Sequence, residues 1–404
     1  MLAARLTRAG AGVALLPEEW AQARAGAGVV VGARGTAWGP CPGMAAAVVL
    51  DAHDEGLCQE QSPTWGAVEV LARRCSSAGA PLLLLTPCPT PELVRLGGEP
   101  LDLERPGRRT WAATVVVDMR RGDPREGLYS PVLIDALRRS GRVMCVLNRK
   151  GRAKLLACRS CGEVARCERC GSPLREAAVG WLSCDRCEDR REAFCSSCAS
   201  IRLKRLVLGV SRVKEELEAL ANEPVGEYTS GQELPATRLV VATEAGLRAA
   251  SPAQGFELVA FLDFDQELLA PRVRASAEAL GLLALASRLV RGREGTVVVQ
   301  TRLPAHPVIQ AAVAGQPRLW WQAELALREQ LRLPPAVSVA LISGPAAPAL
   351  ADALRSFGPA LEVGGPFRGS YLVKAPDAAT LSTALWDARG SAPKARVAID
   401  PGRL

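Results

Sequence analysis

The stretch Cys158-Arg-Ser-Cys161-Gly-Glu-Val-Ala-Arg-Cys167-Glu-Arg-Cys170, continued by Cys184-Asp-Arg-Cys187 and Cys195-Ser-Ser-Cys198, sets eight cysteines in four Cys-x2-Cys pairs. Two thiolates with two residues between them reach one tetrahedral ion, because the turn points both sulfurs inward and offers them backbone N–H groups. Eight thiolates are too many for one zinc and match two four-cysteine sites. Such sites keep no open position, so the expectation is two structural Zn2+ ions per chain rather than a catalytic one. Four pairs can be grouped in three ways. Five residues separate Cys161 from Cys167, and thirteen separate Cys170 from Cys184, enough for a hairpin. That spacing leans towards nesting, with Cys167, Cys170, Cys184 and Cys187 on one ion and Cys158, Cys161, Cys195 and Cys198 on the other. A sequential grouping stays geometrically possible.

Outward from the cysteines, short apolar runs alternate with Ala-rich stretches, the pattern of a parallel sheet with crossover helices. Val29-Val-Val31, Ala47-Val-Val-Leu50 and Leu82-Leu-Leu-Leu85 form a first series, with a helix expected over Trp65 to Ala78. A second series comprises Val115-Val-Val117, Val143-Met-Cys-Val-Leu147, Val207-Leu208, Leu239-Val-Val241, Leu258-Val-Ala-Phe-Leu262 and Val297-Val-Val299. The cysteines interrupt this second series, so the zinc module reads as an insertion within an α/β domain. Beyond Pro304 the chain turns to Pro-rich connections and short amphipathic pieces, suggesting a smaller third domain.

At 404 residues the chain is too long for one ordinary core. The net charge is +8, and only six of the 50 Lys and Arg residues are lysine, a skew that reflects base composition more simply than guanidinium chemistry. Residues 150–205 carry thirteen Lys/Arg against seven Asp/Glu. Two four-cysteine zinc sites would offset about −4 of charge there, so Arg159, Arg166, Arg169, Arg175, Arg190 and Arg191 must project away from the sulfurs to form a phosphate-binding face. Arg190 and Arg191 are the DNA-binding candidates in this module. Cys41, Cys58, Cys75, Cys88 and Cys145 lack metal spacing and read as small core residues or free thiols of a reducing compartment. The apolar run ending at Leu16 is broken by glycines and is not read as a signal peptide, and no window suits a bilayer span. A soluble cytoplasmic protein without membrane partners is expected. His53 and His306 lie far apart with no nucleophile motif near them, so a Ser/His/Asp or Cys/His centre is not expected.

Read with its flanks, Leu147-Asn-Arg-Lys-Gly-Arg-Ala-Lys-Leu-Leu-Ala-Cys158-Arg-Ser-Cys161-Gly resembles the approach to the zinc module in the PriA family of replication-restart helicases, and Gly180-Trp-Leu-Ser-Cys184-Asp-Arg-Cys187 is similar to its second half. Val31-Gly-Ala-Arg-Gly-Thr-Ala-Trp, Phe261-Leu-Asp-Phe-Asp, Arg274-Ala-Ser-Ala-Glu278, Leu333-Pro-Pro and Asp400-Pro resemble weaker landmarks. The likeness runs over essentially the whole chain but over only the C-terminal part of the family's length. It implies the nested zinc grouping. It also implies an α/β fold of RecA-like helicase lobes: residues 1–105 as the C-terminal part of a truncated first lobe, 106–301 as the second lobe, 155–202 as its zinc insertion, and 302–404 as a small α+β domain that binds DNA or partners. In that last domain the Phe367–Lys374 segment resembles a DNA-facing strand, making Arg368, Tyr371 and Lys374 candidates for phosphate contact or base stacking.

The family's ATPase motifs are eroded. A Walker A loop needs Gly-Lys-Ser/Thr, and none of the six lysines follows a glycine or precedes Ser or Thr. The family's Asp-Glu-Glu-His corresponds to Leu50-Asp51-Ala52-His53, which breaks the acidic pair under either alignment. Its Gly-Thr-Gln-Met loop corresponds to Ala242-Thr-Glu-Ala, and its closing Gln-x-x-Gly-Arg-x-Gly-Arg to Ala284-Leu-Ala-Ser-Arg288-Leu-Val-Arg291. Asp51, Arg288 and Arg291 are what is left of a nucleotide site, and use of ATP and Mg2+ is not expected. The upstream part of the first lobe, with any P-loop, is expected before Met1 if anywhere. Trp65 sits where the family has an aromatic DNA-sensing loop, but Gly66, Ala67 and Val68 make packing the better reading. The implied partners are forked or branched DNA and other primosome or replication proteins, including single-strand binding protein. The alternatives are a fragment of an active 3′–5′ helicase, or an unrelated zinc-ribbon nucleic-acid-binding module.

Overall fold

The structure, a computed structural model, describes residues 2–59, 61, 64–98, 100–101, 111–121, 127–147, 156–178, 180–184, 186–205, 210–228, 233–290, 295–391 and 394–401. The approach segment 148–155, Val207-Leu208 and Arg291 lie outside these residues. The chain divides into two compact units: Asp102–Trp320, and the segments Met1–Leu101 and Trp321–Leu404 taken together.

The first of these units is built on six parallel strands: β1 (Ala113–Asp118), β2 (Arg142–Val146), β3 (Val225–Tyr228), β4 (Leu239–Ala242), β5 (Phe256–Phe261) and β6 (Thr296–Thr301). They lie in the order β3-β4-β2-β5-β6-β1. The central strands are buried on both faces, which is why they read as unbroken Val/Leu/Ala runs instead of alternating ones. The arrangement is consistent with a RecA-like fold. Helix α1 (Pro131–Arg139) starts where Ser130 accepts the Leu133 amide at 3.1 Å, with Pro131 in the first turn, where its missing N–H costs nothing. Helix α2 (Val210–Ala221) follows the cysteine module and precedes β3. Helix α3 (Ala275–Leu289) is buried along nearly its whole length and is correspondingly apolar all round. Helix α4 (Pro307–Ala314) packs on α3 and β1, so the unit continues past residue 301. His306 caps α4 by accepting the Val308 amide at its Nδ1, 3.3 Å away. Burial, with Arg166 nearby, pushes this imidazole down to about 4, keeping it neutral for that role.

The cysteine module lies between β2 and α2. It holds a three-stranded antiparallel sheet (Leu174–Ala178, Trp181–Cys184, Arg190–Glu192) and a pair formed by Leu156–Cys158 and Leu203–Arg205. Leu156, Ala165, Leu174, Leu182 and the inner cysteines make its core. Ala157 and Val164 pack with Leu269, which follows β5, and this seats the module on the carboxyl edge of the parallel sheet.

In the other unit the first series of runs forms two separate two-stranded parallel sheets, Val13–Leu16 with Val29–Gly32 and Ala47–Val49 with Leu82–Leu84, instead of the single sheet expected. Val49, Leu82 and Leu84 face the helix Ala67–Ala78, while Val48 and Leu83 lie on the open face. The C-terminal part is a four-stranded antiparallel sheet ordered Glu362–Phe367, Ser370–Ala375, Ser338–Ser343, Arg396–Ile399, with the helices Ala347–Arg355 and Ala378–Ala388 closing its core. The segments of this unit are joined by Arg328, only 1% exposed, whose guanidinium meets Glu92 and Glu324 at 2.8 Å each.

Candidate metal centres and nucleic-acid face

Each Cys-x2-Cys pair folds into the same turn. The N–H four residues after the first cysteine donates to that cysteine's carbonyl: Gly162 to Cys158 (3.0 Å), Gly171 to Cys167 (2.8 Å), Glu188 to Cys184 (3.1 Å) and Ala199 to Cys195 (2.8 Å). The first cysteine's own N–H then donates to the carbonyl five residues on, at Glu163, Ser172, Asp189 and Ser200. All four donors sit at positive φ, 78°, 71°, 60° and 56° in the same order. Glycine takes that conformation freely at two of them, whereas Glu188 and Ala199 carry a Cβ into the left-handed region.

These turns bring the sulfurs together in the nested grouping. Cys158, Cys161, Cys195 and Cys198 form one set and Cys167, Cys170, Cys184 and Cys187 the other, with all sulfurs of a set within 4.8 Å of one another. Cys158 lies 3.5 Å from Cys198, Cys161 3.5 Å from Cys195, Cys167 3.5 Å from Cys187, and Cys170 3.4 Å from Cys184. A disulfide would need about 2.05 Å. A tetrahedral ion with Zn–S bonds of about 2.3 Å sets sulfurs about 3.8 Å apart, so both cages fit it. Electrostatics agrees. At Cys158 burial opposes ionisation, yet the amides of Cys161 and Ser160 prevail and bring it to about 6; Cys170 reaches about 6 likewise, through Ser172. Their neighbours Cys161 and Cys167 are pushed up to about 12, chiefly by burial. Four thiols this close ionise together only around a cation. The geometry thus accommodates two metal ions of the zinc type, held without an open coordination position.

At the carboxyl edge of the parallel sheet, beside the module, lies a buried polar network that the sequence reading did not assign. Asp265, fully buried, accepts from the Thr301 hydroxyl at 2.5 Å and the Arg302 amide at 3.0 Å. Burial pushes its carboxyl up against those bonds. Asp263 accepts from Gln266 at 3.2 Å, while its Oδ1 has no hydrogen-bond partner among the described residues. Burial, reinforced by the Asp265 charge, raises Asp263 to about 6. Gln300, also buried, accepts from Ser130 and donates to the Leu128 and Leu262 carbonyls, tying the start of α1 to the ends of two strands. A glutamine inside the run Val297-Val-Val-Gln-Thr was the available signal.

The other sequence candidates fare unequally. Arg190 is exposed on the module's three-stranded sheet. Arg191 is not a free surface arginine. It lies on the opposite face of that strand, donates to the Glu192 and Phe194 carbonyls and covers the Phe194 ring at 5.1 Å. Tyr371 is a correction as well: it is 8% exposed within the C-terminal core, with Arg355 over its ring, so it packs instead of stacking on a base. Arg368 is exposed but belongs to the two-residue turn Arg368-Gly369, both at positive φ as a type I′ hairpin requires, and not to the strand. Lys374 is half-buried, its Nζ 3.4 Å from the Leu331 carbonyl. Asp51 stands at φ 48° beside the buried Ala52, and His53 Nδ1 lies 3.1 Å from the Thr86 hydroxyl. Arg288 is an exposed residue in the last turn of α3. Trp65 packs edge-on against Trp38, as a packing role requires.

No protein-family model matches the chain. Among curated proteins it is 28% identical over 334 residues to the replication restart protein PriA of Treponema pallidum, covering 76% of this chain and 51% of that protein. It is 27% identical over 346 residues to PriA of Bacillus subtilis, covering 78% and 43% respectively. It is 29% identical over 361 residues to the probable PriA of Mycobacterium leprae, covering 83% and 55%. The chain spans about half the length of the curated relatives it matches. No helix among the described residues is long and apolar enough to cross a membrane.

Proposed function

Starting from the PriA-family assignment that these similarities support, we propose that this chain is a replication-restart protein that binds forked or branched DNA and supports primosome assembly without ATP-driven unwinding. The observation that carries the reading is the pair of nested four-cysteine cages seated on the carboxyl edge of a parallel sheet, in a chain similar to PriA over most of its length. Bound Zn2+ would cross-link residues 158–198 and supply folding energy, with no role in bond-making. DNA contact would then be phosphate-directed through basic side chains on the module and the exposed Arg368 turn.

The non-unwinding part rests on chemistry. Phosphoryl transfer is positioning and charge neutralisation, and the acidic and closing motifs that fall within these residues are both altered. At the acidic motif the buried Ala52 replaces a carboxylate, and Arg288 has lost the glycines and glutamine that would surround a catalytic finger. Loss of a finger alone costs about 10³–10⁵ in rate.

The deciding experiment measures affinity for forked against linear DNA at several salt concentrations, with and without ATP, together with ATP turnover. Structure-selective, steeply salt-dependent binding that ignores ATP is expected. DNA-stimulated turnover abolished by Asp51→Asn would instead establish the helicase alternative, and equal affinity for forks and linear duplex would remove the fork assignment.

A further inference from the structure

The two cages differ in solvent access. All four inner cysteines are buried or half-buried, whereas in the outer set Cys198 is exposed, alone among the eight. A thiol bound to zinc is deprotonated outright, so thiolate character is common to both cages, and access decides which sulfur an oxidant reaches first. The Cys198 Sγ lies 3.5 Å from that of Cys158, which is buried in the facing knuckle. An accessible thiolate with a second thiolate beside it is the arrangement of a reversible thiol redox site. The outer cage also stands at the neck of the module, where the entering and leaving strands, Leu156–Cys158 and Leu203–Arg205, pair. Its first knuckle rests on the end of β1: a Cβ added at Gly162 would lie 3.6 Å from the Arg120 Cα and 3.7 Å from the Met119 carbonyl oxygen.

We propose that the outer cage is a peroxide-responsive site, at which Cys198 is oxidised first and Cys158 resolves it into a disulfide. The Cys198 thiolate attacks one oxygen of hydrogen peroxide, the O–O bond breaks, and the departing hydroxide takes a proton from solvent and leaves as water. The Cys158 thiolate then attacks the sulfenic sulfur of Cys198, forming the S–S bond and expelling the second oxygen, which takes a second proton and also leaves as water. Two electrons pass from the pair of sulfurs to the peroxide. Zinc loses two of its four thiolates and departs, because a disulfide sulfur is no longer an anionic ligand, while the inner ion stays. The disulfide keeps the neck cross-linked in the metal's place, so a thiol reductant and zinc restore the cage. Cys161 and Cys195 are meanwhile released, and the first knuckle slackens against Met119 and Arg120. The proposal rests on the two-zinc reading and is independent of DNA binding.

The test treats the full zinc-loaded chain with hydrogen peroxide and follows released metal with a chromogenic chelator. One equivalent should leave about tenfold faster than the second. Peptide mapping by mass spectrometry at that stage should find Cys158 joined to Cys198, and hydrogen exchange should rise in residues 158–163 and 119–121 but not in 174–184. Cys198→His, which leaves three thiolates and an imidazole to hold zinc, should abolish the fast phase, whereas Cys187→His should leave it unchanged. Two zinc ions before oxidation show that a variant has kept both cages. Release of both ions at one rate, a fast phase that survives Cys198→His, or a disulfide confined to the inner set would overturn the proposal while leaving the two-zinc reading intact. A parent chain that holds fewer than two ions before oxidation would overturn both.

Discussion

Replacing Arg328 with Met tests what holds the N- and C-terminal segments of one unit together. The guanidinium is 1% exposed and donates to Glu92 at 2.8 Å, to Glu324 at 2.8 Å and to the Pro334 carbonyl at 3.0 Å. Methionine keeps much of the volume and removes every donor, leaving two carboxylates and a carbonyl with one partner fewer. Removing one member of a buried ion pair costs about 3–5 kcal/mol, because the remaining charge is stranded. Glu92 and Glu324 keep 18% and 17% of their side-chain surface, so water relieves part of that penalty and the lower end, about 3 kcal/mol, is expected. For a unit of this size that corresponds to a fall in Tm of about 6–12 °C. Glu92→Gln combined with Arg328→Met removes one stranded charge and should recover about 1 kcal/mol. The assay is calorimetry or urea unfolding that follows the two units as separate transitions, and only the unit holding Arg328 should move. A loss below about 1 kcal/mol, or an equal shift in both transitions, would refute the reasoning.

The Asp263 carboxyl, raised by burial to about 6 from an ordinary value near 4, binds more protons in the folded than in the unfolded chain between those two pH values. Its contribution therefore falls as pH rises through about 4–6 and is flat above; Asp263→Asn should gain on the order of 2 kcal/mol at pH 7 and nothing below pH 4, and an unchanged difference across the range would refute it. Elemental analysis should give two zinc ions per chain, with Cys167→Ser losing the ion of the inner set while sparing the one held by Cys158 and Cys198; one metal or none per folded chain would end the two-site reading. Ala199→Gly should be neutral or stabilise the module by up to about 1 kcal/mol by relieving a left-handed alanine, whereas Gly162→Ala, at φ 78°, should cost about 1–2 kcal/mol in the same melts.

Two kinds of information were legible in the sequence for one reason: both are local. The Cys-x2-Cys turns close within six residues, so spacing alone marks them as candidate metal-binding knuckles, and all four share one hydrogen-bond pattern. The buried strands β2, β4 and β5 announce themselves because a strand covered on both faces must be apolar at every position. What spacing left open depends on the approach of distant residues. The nested grouping is decided when strands Leu174–Ala178 and Trp181–Cys184 pair and carry Cys170 to Cys184. Arginine looks the same in sequence whether it projects into solvent, as Arg190 does, or folds back onto backbone carbonyls, as Arg191 does; strand register alone separates the two faces. Tyr371 is buried where a base-stacking position was expected, while Arg368 stays exposed, because a two-residue turn fixes which strand positions point inward. Arg328, Asp265 and Gln300 are ordinary polar residues in the sequence. Their burial is possible only because partners up to 236 residues away supply the hydrogen bonds that replace water, and only the tertiary structure brings those partners to them.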